Sequence, residues 1–186
     1  MKQSKEDNEF KFYHRKDYDI SFIKNAVIDL EKEWFLDTTR QETFAAHKNT
    51  TSYILNRIDG HWEVNTPLIE LVKADDKLMW DLVSPITSDL ESLCDGVIGQ
   101  VLLIKLSAGK DIEVHTDSGD YLHYVSRHHI PIITNPKVGF FIDGETQHMK
   151  EGECWEINNN KPHAVFNRGT QDRVHLLIDI MPNKYL

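Results

Sequence analysis

Apolar residues in the first half of the chain recur at helical intervals in two places. From Ile20 to Trp34 they lie three and four residues apart, which is typical of an amphipathic helix, and Ser21 is a candidate N-cap. The spacing returns between Leu71 and Cys94, where Pro85 is expected to open a second helix and Asp95-Gly96 to end it. The apolar face of this second region is predicted to comprise Leu78, Leu82, Ile86, Leu90 and Leu93.

Shorter segments with strand character flank these helices. The residues before about position 18 are mostly charged with a few aromatics, and they predict a frayed end followed by a short edge strand. Thr50–Leu55 is rich in β-forming residues. Asp59-Gly60 then predicts a hairpin turn that leads into a second strand at His61–Val64.

From Val97 onward the pattern changes to short β-type runs separated by turn residues such as Asn135-Pro136 and Asp143-Gly144. About eight short strands at this spacing favour a mainly β jelly roll, the double-sheet architecture that cupins also use, with the N-terminal helices packed on it. The predicted strands are Gln100–Leu106, Ile112–His115, Arg127–Thr134, Val138–Ile142, Thr146–Met149, Cys154–Ile157, His163–Asn167 and Val174–Ile180.

The length of 186 residues fits a single domain, 1–186, with a helical and mixed N-terminal elaboration at 1–96 and the β-rich core at 97–182. With 21 basic and 30 acidic residues the net charge is −9, which argues against a general nucleic-acid binder. A small-molecule or peptide substrate is compatible with this charge. Oligomeric state is not indicated.

The cysteine count and the N-terminus indicate an intracellular setting. Cys94 and Cys154 are too few for a disulfide framework, and neither belongs to a structural zinc motif. The N-terminal residues 1–8 are polar, without the apolar core of a signal peptide, and no apolar run approaches the length of a membrane span. We expect a cytoplasmic protein that does not bind membranes.

The candidate chemistry begins with His115-Thr116-Asp117. A histidine two residues from a carboxylate is weak evidence alone, because His61-Trp62-Glu63 has the same spacing. His115, however, ends a predicted strand, so the two-residue step places His115 and Asp117 on one face beside the turn that follows. His61 lies beside a predicted hairpin turn, and an exposed hairpin is the better interpretation there.

His163 is the best candidate for a third ligand, because it opens a predicted strand and shares a face with Val165. Two histidines and one carboxylate are the ligand set of a mononuclear non-haem Fe(II) site, which leaves one face of the metal open for O2 and a co-substrate. The competing histidines are His128, His129, His148 and His175.

Arg173, ten residues after His163, is a candidate anchor for a dicarboxylate co-substrate. It begins the last predicted strand and shares a polar face with His175 and Asp179, and such a face would be costly to bury unless a ligand satisfied it. Arg127 and His129 share a face of another strand, and they are candidate contacts for the other end of the co-substrate or for a substrate carboxylate.

These motifs, taken in order, resemble the aspartyl/asparaginyl β-hydroxylase family of Fe(II)- and 2-oxoglutarate-dependent oxygenases, including its bacterial free-proline hydroxylase relatives. Order and spacing agree over nearly the whole second half of the chain. Arg40-Gln41 and the segment from His47 to Leu55 also look similar to segments that precede the barrel in those relatives. The motifs are His115–Asp117, Arg127–Pro131, Gly152–Asn159, Pro162–Val165 and Asp172–Leu176.

The resemblance implies a double-stranded β-helix in which His115, Asp117 and His163 hold Fe(II) and act in catalysis. It also implies that Arg173 binds the 5-carboxylate of 2-oxoglutarate, with Arg127 and His129 in the same pocket. The animal peptide hydroxylases of the family have glycine where Asp117 stands, so the complete triad places this chain nearer the bacterial members.

The expected function is therefore an Fe(II)- and 2-oxoglutarate-dependent hydroxylase of an amino acid or an aspartyl/asparaginyl-type peptide residue, with release of succinate and carbon dioxide. Two alternatives stay open, a cupin-type metal enzyme that does not use 2-oxoglutarate and a non-catalytic jelly-roll binding module. His47, Trp62 and the loop Ser118–Val125 are expected to cover the mouth of the site.

Overall fold

Two antiparallel β-sheets form the body of the protein. The computed structural model describes residues 10–30, 48–73 and 75–186. Within them the helices are α1 (Ser21–Asp29), α2 (Lys77–Cys94) and α3 (Asp120–Tyr124), with a 3-10 turn at Asn183–Tyr185. The strands are β1 (Phe12–Asp17), β2 (Thr50–Ile58), β3 (Glu70–Lys73), β4 (Gly96–Leu106), β5 (Asp111–His115), β6 (Ser126–Ile133), β7 (Val138–Ile142), β8 (Glu145–Gln147), β9 (Glu153–Ile157), β10 (His163–Asn167) and β11 (Arg173–Pro182).

The larger sheet has seven strands in the order β1-β9-β6-β11-β4-β2-β3, and the smaller has four in the order β5-β10-β7-β8. Strands that are distant in sequence therefore lie side by side, as the crossing connections of a jelly roll require. The predicted mainly β, jelly-roll fold is confirmed, and the eight strands predicted after Val97 correspond to β4–β11. The predicted edge strand near the N-terminus is β1.

The central strand β11 shows why this sequence folds into layers. One set of alternating residues (Val174, Leu176, Ile178 and Ile180) packs in a cluster with the buried faces of α1 and α2. The residues between them lie on the opposite face, where Leu177 packs with Leu102 and Ile104, and where Arg173 lines a pocket. Alternation along one strand thus separates a helix-covered apolar face from a polar face between the sheets.

Helix α1 differs in detail from the prediction. Ser21 was predicted as the N-cap, but Ile20 holds that position and Ser21 is the first helical residue. The Ser21 N–H donates to Asp19 Oδ1 at 3.0 Å, so a side chain two residues earlier satisfies one of the helix-start donors. The predicted C-terminal part of this helix, residues 31–34, lies outside the described residues.

Helix α2 is continuous through Pro85, so the predicted break there is wrong. The Pro85 side chain is exposed, and the helix is held instead by its opposite face and by Asp76, whose carboxylate accepts from Met79 N–H at 2.9 Å. The predicted apolar face was also partly wrong, since Leu78 and Leu93 are exposed. The buried residues are Met79, Val83, Ile86, Thr87 and Leu90.

The predicted strand at His61–Val64 is absent, and those residues belong to the connection between β2 and β3. Trp62 is buried there and donates through its indole N–H to Thr66 O at 2.8 Å. β2 instead continues to Ile58, and Asp59 N–H bonds to Ile69 O at 2.8 Å. None of the helices in the described part of the chain has both the length and the apolar character needed to cross a membrane.

Candidate active site

Two histidines face each other across neighbouring strands of the smaller sheet. His115 is the last residue of β5 and His163 the first of β10, and the antiparallel register places them directly opposite. Their ring centroids lie 4.3 Å apart. The Nδ1 atom of His115 lies 2.8 Å from Glu113 O, and that of His163 lies 2.9 Å from Lys161 O. Each ring therefore donates from Nδ1 and presents the lone pair of Nε2 to the space between the sheets.

Asp117 completes this group. It lies two residues beyond β5, and its N–H bonds to Asn159 O at 3.3 Å. Asp117 Oδ1 is 3.8 Å from His115 Nε2 and 3.9 Å from His163 Nε2, and the three ligand atoms all lie within 4.8 Å of one another. In the described part of the chain, no other set of three His, Cys, Asp or Glu side chains converges in this way.

The second oxygen of the Asp117 carboxylate is held by the protein. Oδ2 accepts from Arg127 Nη1 at 2.5 Å and from Asn159 Nδ2 at 3.0 Å. Burial alone would raise the pKa of Asp117, but the charges of Arg127, His163 and His115 and the Asn159 hydrogen bond outweigh it and lower the pKa to about 2. Asp117 is therefore ionised at neutral pH, with Oδ1 directed toward the two histidines.

The donor set fits a divalent transition metal. Two neutral imidazole nitrogens and one carboxylate oxygen on one side of a cavity form the facial arrangement that non-haem Fe(II) oxygenases use. Burial keeps the pKa of His163 below its ordinary value, which favours the neutral form that binds a metal. The three side chains thus form a possible metal site with an open side toward the cavity.

Arg127 is the central residue of a buried hydrogen-bond network beside Asp117. Its Nε and Nη2 atoms donate to Asp179 Oδ1 and Oδ2 at 2.9 and 2.8 Å, in addition to the Nη1 contact with Asp117. Burial would lower the pKa of Arg127, but Asp179 and Asp117 outweigh it and raise the pKa. Tyr121 Oη lies 3.4 Å from Asp179 Oδ2 on the far side.

Arg173 lines the same cavity as the three ligands. That arginine is only 1% exposed, on the first residue of β11. Arg127 and His129 line the same cavity, so the structure brings together all six predicted site residues. The remaining walls of the cavity are apolar, formed by Ile104, Ile112, Phe140, Val165 and Leu177.

The family model of the aspartyl/asparaginyl β-hydroxylases matches residues 79–182, more than half of the chain. The chain belongs to the aspartyl/asparaginyl β-hydroxylase family. The resemblance seen in the sequence is therefore confirmed, and the family together with the fold makes the protein a hydroxylase-type oxygenase. No curated protein matches the sequence.

Solved structures agree with the fold of this β-hydroxylase family member. A viral collagen prolyl hydroxylase of Paramecium bursaria Chlorella virus-1 is similar with a TM-score of 0.58 and 9% identity, covering 93% of this chain and 97% of that one. A 2OG-Fe(II) oxygenase family oxidoreductase of Burkholderia pseudomallei gives 0.54 and 10%, covering 71% and 67%. The non-haem monooxygenase ThoJ, solved as a nickel complex, gives 0.54 and 14%, covering 92% and 74%.

Of the four competing histidines of this β-hydroxylase-family chain, His129 lines the cavity and the other three do not. His128 faces the helices, where its Nε2 lies 3.7 Å from Cys94 Sγ. His148 bonds through Nδ1 to a backbone oxygen, and His175 is buried beside β6, where burial and then Arg173 keep its pKa well below the ordinary value. His61 and Glu63 are exposed, as expected for that pair.

Of the segments expected to cover the mouth, Trp62 is placed differently. Trp62 packs into a cluster with Tyr121 and Met181 and does not line the cavity. The loop Ser118–Val125 contains helix α3, whose Tyr121 side chain is buried. His47 lies outside the described residues, as do Arg40-Gln41.

Sequence reasoning missed three residues of the site, namely Asp179, Asn159 and Tyr121. Asp179 was visible as a member of the polar face of β11, but its partner depends on the pairing of β11 with β6, 52 positions earlier in the chain. Asn159 lies within one of the motifs that carry the family resemblance, without a signal for its contact with Asp117. Tyr121 gives no signal in the sequence, because the segment Ser118–Val125 predicts a loop.

Proposed function

We propose that the chain is an Fe(II)- and 2-oxoglutarate-dependent hydroxylase of an amino acid or of an aspartyl/asparaginyl-type peptide residue. The observation that supports this most strongly is one cavity lined both by His115, Asp117 and His163 and by the buried Arg173. A metal site alone is compatible with many activities. A buried guanidinium across apolar walls is what a short dicarboxylate that also reaches the metal requires.

His115, Asp117 and His163 would hold the iron, and Asp117 would supply one negative charge through Oδ1. The bound iron and 2-oxoglutarate would supply O2 activation and oxidative decarboxylation, which releases succinate and carbon dioxide. The backbone bonds at Nδ1 keep both imidazole rings turned so that Nε2 points at the metal position. The protein's contribution is therefore the fixed direction of three ligand atoms.

Arg173 would bind the 5-carboxylate of 2-oxoglutarate. A guanidinium matches a carboxylate with two parallel N–H···O bonds, and burial strengthens such a pair by excluding water. The apolar walls, among them Phe140 and Leu177, would contact the methylene groups and keep water from the reacting centre. His129 and Arg127 remain the predicted contacts for the other polar groups of the ligands.

The structural neighbours support the same proposal in their printed descriptions. The viral collagen prolyl hydroxylase was solved as a complex with 2OG, and the Burkholderia protein is described as a 2OG-Fe(II) oxygenase. The complete His-Asp-His set, as opposed to the glycine of animal peptide hydroxylases, favours the bacterial amino-acid hydroxylases as functional relatives. We therefore place a free amino acid before a peptidyl residue as the substrate to test.

The proposal is tested by anaerobic visible spectroscopy of the metal-free protein with Fe(II), before and after addition of 2-oxoglutarate. We expect a new metal-to-ligand charge-transfer band in the parent, because the keto acid chelates the iron. Arg173→Ala should require at least tenfold more 2-oxoglutarate for the same band, since one buried charge-assisted contact is lost. Arg168→Ala is a matched control, because Arg168 is an exposed surface partner of Asp111 and should leave the titration unchanged.

The alternatives predict different results. A cupin-type metal enzyme without 2-oxoglutarate would bind Fe(II) but give no new band with the keto acid. A non-catalytic jelly-roll module would show neither metal-dependent turnover nor any effect of Asp117→Ala beyond stability. If the band appears and Arg173→Ala matches the parent, the assignment of Arg173 is wrong. Succinate release with a panel of free amino acids and Asp- or Asn-containing peptides then identifies the substrate class.

A further inference from the structure

We propose that Asp179 is a positioning residue of the metal site, acting through Arg127 to fix which oxygen of Asp117 faces the metal. The inference rests on the proposed function, because it assumes that His115, Asp117 and His163 bind a metal. Asp179 itself lies outside the ligand set and is 0% exposed.

The first step is the register of two central strands. Asp179 on β11 and Arg127 on β6 are directly opposite in the antiparallel pairing. Their side chains meet in a bidentate pair, with Nε to Oδ1 at 2.9 Å and Nη2 to Oδ2 at 2.8 Å. Two parallel bonds fix the plane of the guanidinium, and burial removes the competition of water. Asp179 therefore determines where the third nitrogen of Arg127 points.

That third nitrogen, Nη1, donates to Asp117 Oδ2 at 2.5 Å. Asn159 Nδ2 donates to the same oxygen at 3.0 Å. With Oδ2 held by two donors, Oδ1 is the oxygen that faces His115 and His163. The hydrogen bonds from Asp179 through Arg127 to Asp117 thus select a single oxygen of Asp117 for the metal. The remaining coordination positions of the metal are left for other ligands.

Asp179 also keeps Arg127 from competing with the metal. A guanidinium with two adjacent N–H groups that have no other acceptor frequently binds both oxygens of a nearby carboxylate. If Asp179 lost its charge, Arg127 would be drawn toward Asp117, the closest remaining carboxylate, and would cover Oδ1 as well. In the observed geometry the fork is occupied by Asp179, so Arg127 meets Asp117 with one nitrogen only.

Asp179 is held from its far side by Tyr121. The Tyr121 hydroxyl lies 3.4 Å from Asp179 Oδ2 and accepts from Gln100 N–H at 2.8 Å. Gly99 makes room for this hydroxyl, since a Cβ on Gly99 would lie 2.1 Å from it. The network from helix α3 to the metal ligand is therefore built into the packing of β4, β6 and β11.

The experiment is a Co(II) titration of the metal-free full-length protein, followed by the visible d–d absorption of the bound ion. Asp179→Asn keeps the shape of the side chain and removes its charge. We expect its Co(II) dissociation constant to rise about 10- to 100-fold, as is usual for residues that orient metal ligands. We also expect the band shape to change, because the Asp117 contact with the metal changes. This readout does not depend on catalytic activity.

Two further variants separate positioning from folding. Glu156→Gln removes another buried carboxylate that pairs with an arginine, Arg15, on the helix-facing side of the same sheet, and it should leave Co(II) affinity and spectrum unchanged. The double variant Arg127→Met/Asp179→Leu replaces this pair with apolar groups, which costs less stability than removing one partner alone, and Asn159 still donates to Asp117 Oδ2. It should still fold and should still lose Co(II) affinity about 10- to 100-fold.

The outcomes distinguish the two proposals. A parent protein that binds neither Co(II) nor Fe(II) contradicts the proposed function itself. A parent that binds Co(II), with equal affinity and equal spectra in Asp179→Asn and in the double variant, overturns the positioning role alone. Weaker binding in Asp179→Asn that Glu156→Gln reproduces also overturns it, because the loss would then follow general destabilisation of the sheet.

Discussion

At the residue scale, Asp117 links the metal site to the acid stability of the metal-free protein. Its pKa is about 2 in the folded chain and 3.8 ordinarily, so the folded state binds fewer protons there than the unfolded state. The gap between the two pKa values is equivalent to about 2–3 kcal/mol of stability. That contribution is fully present above about pH 4 and is lost as the pH falls through about 2.

We therefore predict that the stability difference between the parent and Asp117→Asn shrinks as the pH falls. Urea unfolding of both metal-free proteins between pH 5 and pH 2 measures it, and the difference should decrease by about 2–3 kcal/mol. Asp111→Asn provides the control, because Asp111 forms an exposed pair with Arg168 and such pairs contribute little. A difference between the parent and Asp117→Asn that stays constant over this range would contradict the prediction.

The sequence identified those site residues whose position follows from their own strand. His115 and Asp117 were visible from alternation at the end of β5, and His163 from its place at the start of β10. Their assignment as metal ligands, and that of Arg173 as co-substrate anchor, stays a prediction until a metal is bound. Asp179 was not assigned, because its partner depends on the register between strands that are far apart in sequence.

At the scale of the secondary-structure elements, the wrong predictions also occur where contacts between residues distant in sequence determine the structure. The strands after Val97 were predictable because each is bounded by turn residues and shows its own alternation. The connection from β2 to β3 was not predictable in this way. Asp59-Gly60 is a strong local signal for a hairpin turn, but Trp62 packs instead in a cluster with Tyr121 and Met181. Helix α2 continues through Pro85 for a similar reason, because burial of its other face outweighs the helix-breaking preference of proline.

This account of α2 makes a prediction about Pro85. The ring is exposed on the solvent side of an 18-residue helix, so it removes a helical hydrogen bond without contributing to the core. Pro85→Ala should raise the free energy of unfolding by up to about 3 kcal/mol, measured by urea denaturation. Ser88→Ala, an exposed position one turn later, should change it by no more than about 0.5 kcal/mol.

Pro85→Ala should also leave the metal site unchanged, because α2 packs on the opposite face of the large sheet from the cavity. A Co(II) titration of this variant checks the point. A destabilised Pro85→Ala protein would mean that the proline ring stabilises the helix at this position, and would contradict the explanation given for the continuous helix.

At the scale of the whole molecule, the N-terminal strands β1 and β2 are part of the larger sheet, which carries Arg127 and Arg173. β2 pairs with β4 along most of its length, from Thr50 opposite Leu106 to Asn56 opposite Val101. β1 pairs with β9 at the other side of the sheet. Helices α1 and α2 cover the apolar face of the same sheet. The division into an elaboration at 1–96 and a core at 97–182 therefore describes sequence character better than it describes packing.

We accordingly predict that a chain of residues 97–186 alone does not form the metal site. Without β2 and the helices, β4 has an unpaired edge and a large apolar face meets water. Each apolar side chain exposed there loses about 1.5–3 kcal/mol of burial free energy. The loss from six of them is comparable with the roughly 5–15 kcal/mol by which a typical domain is stable. The six are Val101, Leu103, Ile130, Ile132, Leu176 and Ile178.

The measurement compares this shorter chain with the full-length protein by near-UV circular dichroism, by binding of a hydrophobic dye and by Co(II) titration. The shorter chain should lack fixed aromatic signals, bind the dye and give no cooperative unfolding transition. Its Co(II) affinity should fall well below that of the parent, because the register between Arg127 and Asp179 holds Asp117 only in the intact sheet. A shorter chain that unfolds cooperatively and binds Co(II) as the parent does would show instead that residues 97–186 carry all the information needed for the site.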